Sequence, residues 1–185
     1  MEEYEKTIQL RFEEFVEDWA RKLTLMKHDR KKNPRFFLTK GYVGTGAEDF
    51  AKHARPETSP CVQMSSARSI TGAKEECEYY AFDLYFCVRA DKMGDAHSED
   101  DATDYADYIR KLFKCYFMRE RDELYNPLLE GGEVINSVSV PRFHDAWVAV
   151  KMTVVLAECV DLCLDEGLLE EDEDENDGDD EDDDE

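Results

Sequence analysis

The chain has 185 residues and a net charge of −23, yet residues 170–185 alone supply 14 of its 46 acids and none of its bases. The remainder is moderately acidic, long enough for one domain with a single core, and supplied with 11% aromatic residues to fill it. That balance argues against general nucleic-acid binding, and the most hydrophobic stretch, Trp147 to Cys163, carries Lys151, Glu158 and Asp161, so no membrane span is expected.

The chain opens Met1-Glu2-Glu3-Tyr4-Glu5, with neither a basic n-region nor an apolar h-region, so no secretory signal is expected and synthesis in the cytoplasm is. Tyr4 to Met26 predicts a first amphipathic helix, because Ile8, Phe12, Phe15, Val16, Trp19, Leu23 and Met26 recur at three-and-four spacing. Acids crowd its start, Lys27, Arg30, Lys31 and Lys32 follow its end as the macrodipole prefers, and Asn33-Pro34 stops it. Arg35 to Val43 reads as a strand, followed by a turn at Gly41, Gly44 and Gly46. Cys61 to Ile70 reads as a second strand, closed by Thr71-Gly72.

The clearest signal in the chain comes next. Tyr80, Phe82, Leu84, Phe86 and Val88 alternate as a half-buried strand over Glu78 to Ala90. After an acidic loop the rhythm turns helical, with Ala102, Tyr105, Ala106, Ile109, Leu112, Phe113, Tyr116 and Phe117 on one face of a helix from about Ser98 to Leu124. Ser98 and Asp101 resemble a capping box at its start, and Asn126-Pro127 closes it. Gly131-Gly132 makes a turn, Val134 to Val140 alternates as a strand up to Pro141, and Ala146 to about Ala157 is rich in the Val, Trp and Thr that favour strand. A helix beyond Lys151 is the rival there, since Lys151, Glu158, Asp161 and Asp165 share a helical face. The order helix, strands, helix, two strands predicts an α+β fold: a mostly antiparallel sheet of four to five strands with two amphipathic helices packed on one face. Residues 1–167 form the domain, and 168–185 are expected to be a disordered acidic tail.

Tests for chemistry return little. Gly41-Tyr42-Val43-Gly44-Thr45-Gly46 has neither the G-x-G-x-x-G order nor a Gly-Lys-Ser/Thr ending, so it reads as a turn rather than a phosphate cradle. Asp91, Asp95, His97, Glu99, Asp100 and Asp101 lack the EF-hand spacing and its glycine, and acids before a helix already suit its dipole. His28, His53, His97 and His144 are scattered away from zinc-binding spacings. Cys61, Cys77, Cys87, Cys115, Cys159 and Cys163 never form C-x-x-C and read as reduced, buried small hydrophobes. Ser65, Ser66, Ser69 and Ser139 lack the G-x-S-x-G context of an esterase nucleophile. No catalytic residue, metal ligand or cofactor is expected. The basic run Lys27, Arg30, Lys31, Lys32 and Arg35 has three readings: a phosphate contact, cations dressing a helix end, or an in-chain partner for the acidic tail. The candidate partner-binding acids of that tail are Glu170, Glu171, Asp172, Glu173, Asp174 and Glu175.

The order of elements carries a resemblance. An amphipathic opening helix leads to a strand ending Phe86-Cys87-Val88-Arg89-Ala90. A helix opening Asp101-Ala102-Thr103-Asp104-Tyr105-Ala106 follows, then a closing strand pair built on Trp147-Val148-Ala149-Val150. Over about residues 1–165 this resembles, in topology, the tail-terminator and head-tail connector (neck) proteins of long-tailed bacteriophages. The acidic run from Glu170 and the helix past Lys114 depart from compact members. The family has no invariant catalytic motif, so no residue carries over as a site.

The resemblance implies a non-enzymatic virion protein whose subunits close into a ring, a hexamer or similar, against tail-tube, neck or portal proteins. DNA would pass through the channel without sequence-specific binding, past an acidic lumen that repels it. Two rivals stand beside this expectation: a cytosolic acidic binding protein or DNA-mimic inhibitor acting through the C-terminal tail, and an enzyme on an α+β scaffold.

Overall fold

Strand β4 (Cys77–Arg89) organises the molecule, and all thirteen of its residues pair antiparallel with β6 (Trp147–Cys159), from Cys77↔Cys159 to Arg89↔Trp147. The computed structural model describes residues 6–39, 50, 54–70, 77–92 and 94–159. The strands run β1 (Phe36–Thr39), β2 (Cys61–Ser65), β4, β6 and β5 (Glu133–His144) across one sheet, with β3 (Arg68–Ile70) also on β4. Every pair is antiparallel except β1–β2, which is parallel. The fold is α+β, with six strands among the described residues rather than four to five.

The extra strand comes from a break in the stretch read as one strand over 61–70. Between Met64↔Leu84 and Arg68↔Ala81 the outer chain advances four residues while β4 advances three. The surplus residue is a bulge. Side chains take over the ladder there: the Asp83 N–H donates to Ser65 Oγ (3.0 Å), the Ser66 hydroxyl to the Thr39 carbonyl (3.1 Å), and the Ala67 N–H to Gln9 Oε1 (2.5 Å). Satisfied off-ladder, the backbone can change register without an orphaned polar group.

Helix α1 (Ile8–Lys22) begins where Thr7 Oγ1 accepts the Leu10 N–H and ends four residues before the Met26 that its apolar spacing suggests. Leu23 turns extended, and a turn through Lys27, at φ +46°, brings Met26 back into the core. Helix α2 (Ala96–Asp122) starts earlier than expected. Its cap is Asp95, which accepts the His97 N–H, while Ser98 Oγ takes the Lys92 N–H and Glu99 the Gly94 N–H. The Ser98–Asp101 capping box does not form.

Both helices lie on the same side of the sheet. Phe12 meets Phe82 at a ring separation of 4.6 Å, and Trp19 stands edge-on to Phe113 at 4.9 Å and to Phe86 at 6.0 Å. Val148, Val150, Met152, Val154 and Leu156 of β6 face the same core. The alternation is that of a strand throughout, so the helical rival for the segment after Lys151 is wrong up to Cys159. Strand β5 runs through Pro141 rather than stopping at it, as an outermost strand tolerates, with register shifts between Val134 and Asn136 and between Val140 and His144.

Candidate assembly surface and polar clusters

Asp83 points away from the helices, on the opposite face of β4, and is fully buried. Its Oδ1 accepts the Thr153 hydroxyl at 2.7 Å, and its Oδ2 receives Arg68 at 3.1 Å and the Lys151 ammonium at 2.9 Å. β3, β4 and β6 each supply part of this constellation. Lys151 also lies 5.9 Å from the Tyr85 ring. Burial first, and the Asp83 charge second, push the Tyr85 phenol up to about 12. With both oxygens held by donors from β3 and β6, Asp83 is fixed as an ion-pair centre.

A second cluster closes the end of α1. Glu17 is buried, hydrogen-bonds Arg30 through both oxygens (Nε to Oε1, 2.6 Å) and lies 3.2 Å from His28 Nε2. His28 Nδ1 accepts the Arg35 N–H at 2.9 Å, so the proton of the neutral ring sits on Nε2 and points at Glu17. The Arg30 hydrogen bond holds the Glu17 carboxyl below its usual range, and burial pushes His28 below its own. This dyad fixes the turn that carries Lys27, Arg30, Lys31 and Lys32, all exposed.

The closing hairpin ends in β5, which is outermost among the described strands. It presents Ile135 at 60% exposure and Val138 at 48%. Ile135 occupies the first register shift, and Val138 sits opposite Lys151, on the face away from the helices. Arg110 of α2 reaches Ser137 at 3.1 Å, tying the helix layer to this strand.

Sequence-level candidates divide clearly. Glu170, Glu171, Asp172, Glu173, Asp174 and Glu175 lie outside the described residues, as do the 41–46 glycine segment, His53 and Cys163. Asp95 and Glu99 serve the start of α2, and among the described residues no group of three or more His, Cys, Asp or Glu side chains is placed to hold a metal. Cys61 and Cys87 are buried, free and paired in register across β2 and β4; burial raises the Cys87 thiol well above its usual value. Cys115 is exposed on α2, against the expectation of burial. The Asp83 and Glu17–His28 clusters escaped the sequence reading. Their partners lie up to 70 residues apart in the chain. Among the described residues no helix is long and apolar enough to cross a membrane. No protein-family model matches the chain, and no curated protein matches it in sequence.

Proposed function

We propose that this chain is a structural, non-enzymatic subunit of a phage virion, a tail terminator or head-tail connector that closes into a ring between tail tube and head. The observation that carries the reading is the β5–β6 hairpin. Its outermost strand presents two large apolar side chains, and it is locked to the rest of the molecule by thirteen residue pairs between β4 and β6. A rigid sheet with an apolar outer edge is a surface for another subunit, and a head-to-tail contact made once per copy closes into a ring when the rotation permits. The polar clusters suit a structural role, because Asp83 and Glu17 are each held by protein cations.

Negative-stain microscopy of the full chain, alone and mixed with phage tail tubes, tests this. Rings with a central channel that cap the tube are the expected result. A chain that neither forms rings nor binds tubes, with no capsid, portal or tail genes flanking its own, overturns the proposal. Loss of all partner binding on neutralising Glu170 to Glu175 would instead favour an acidic mimic.

A further inference from the structure

The ring reading gives the cysteines no role, yet their placement follows the sheet. Cys61 of β2 is opposite Cys87 of β4, and Cys77 of β4 is opposite Cys159 of β6. Four of the six cysteines thus occupy facing positions on either side of β4, which a need for small buried side chains alone does not require. For Cys61 and Cys87 the side chains meet as well. Both are buried and free, in the apolar patch of Phe50, Tyr85, Trp147 and Ala149, and their thiols are in hydrogen-bond contact. Backbone spacing fits a covalent bond between them. The N–H groups of Asp83 and Arg89 both turn toward β2, where Ser65 Oγ and Ser59 Oγ accept them at 3.0 Å. Cys87, at the same strand period, belongs to this hydrogen-bonded set, whose facing Cα atoms lie about 5.5 Å apart. A disulfide spans Cα separations of about 4.4–6.8 Å.

Burial holds this pair back. It raises the Cys87 thiol well above its usual value and so suppresses the thiolate that exchange requires. Access depends on β2 lifting from β4, and β2 is the weakly held part of the sheet. Four residue pairs join it to β4, from Cys61↔Cys87 to Met64↔Leu84, against thirteen between β4 and β6. Among the described strands β1 is paired only with β2, so the two lift together. Short outer strands of this kind open locally at a free energy below that of global unfolding.

We infer that Cys61 and Cys87 form a redox-sensitive cross-strand dithiol, which a small disulfide such as oxidised glutathione converts to a Cys61–Cys87 bond bracing β1 and β2 against β4. One cysteine thiolate attacks the glutathione disulfide and releases a first glutathione thiolate. The second cysteine attacks the mixed disulfide, forms the Sγ–Sγ bond and releases the other. Two cysteine S–H bonds are lost, one S–S bond replaces another, and both protons and both electrons leave on two glutathione thiols. This inference does not rest on ring assembly.

The test incubates the folded full chain without denaturant, in dithiothreitol or in oxidised glutathione, followed by alkylation, digestion and mass mapping. The expected product of oxidation is a linked Cys61–Cys87 peptide pair, recovered as two alkylated peptides after reduction. The bond closes a loop over residues 62–86, so the urea midpoint should rise by about 1 M on oxidation and return with dithiothreitol. The C61S variant should lose that rise. Cys61 and Cys87 recovered unlinked from oxidised protein, a midpoint indifferent to the oxidant, or a rise that persists in C61S would each overturn the inference.

Discussion

The two faces of the sheet are built by different rules. Toward the helices, β1, β2, β4, β5 and β6 contribute apolar side chains, and Phe12, Phe82, Phe86, Phe113 and Phe117 are fully buried together. Toward the other side, an apolar patch of Phe50, Cys61, Tyr85, Cys87, Trp147 and Ala149 gives way to Asp83 with Arg68, Lys151 and Thr153. The first face gains its stability from area removed from water and from close packing. The second holds a charge that is tolerable only while its cations stay in place. One face makes the domain fold; the other fixes how β3, β4 and β6 sit against each other.

Substitutions can break this contrast in order of effect. Phe113→Ala, at the meeting point of Trp19, Phe15 and Phe86, should cost about 3–5 kcal/mol in urea unfolding through lost burial and the cavity left behind. Asp83→Ala should cost about 3 kcal/mol, because it strands the partly buried Lys151. Adding Lys151→Met to it should recover part of that loss, whereas adding Lys151→Met to Phe113→Ala should not; the same effect of Lys151→Met in the wild-type and Asp83→Ala backgrounds would mean that the pair is not coupled.

Acid acts on a third place, the end of α1. Glu17 and His28 both have folded values lowered from their ordinary ones. Each contribution is therefore present above the unfolded value and is lost as pH falls. For His28 the loss begins below about 6.5, and for Glu17 below about 4.3. Stability measured by denaturant should fall between pH 7 and 5 with a slope of at most about 1.4 kcal/mol per pH unit, the limit for one proton, and His28→Gln should flatten it. The smallest expected effect is Ile135→Asp with Val138→Ser, which should change monomer stability by about 0.5 kcal/mol or less, because both side chains are exposed in the isolated chain.

The helix-facing side was legible in the sequence because period is a local property. The alternation from Tyr80 to Val88 and the three-and-four spacing of Phe113 and Phe117 located β4 and α2 to within a few residues. Caps were less legible, since four acids within seven residues of Asp95 compete for one helix start, and the exit from β4 selects among them. The bulge after Met64 left no mark in the pattern, because it depends on Ser66 reaching Thr39 and Ala67 reaching Gln9. Asp83 did leave a trace: an acid in the middle of the most aromatic strand, matched by a lone cation, Lys151, inside the most apolar one. Only their register on β4 and β6 makes them neighbours. His28 sits in a basic run that resembles a solvated helix end, and nothing local distinguishes it from its exposed neighbours.

Amide hydrogen exchange along β5, compared between free chain and assembled particle, tests most directly whether this polypeptide works through its outer strand. We expect residues 133–140 to gain protection of at least about tenfold on assembly, and Ile135→Asp with Val138→Ser to prevent assembly while the free chain stays folded. Assembled particles in which those amides exchange as fast as in the free chain would contradict the account.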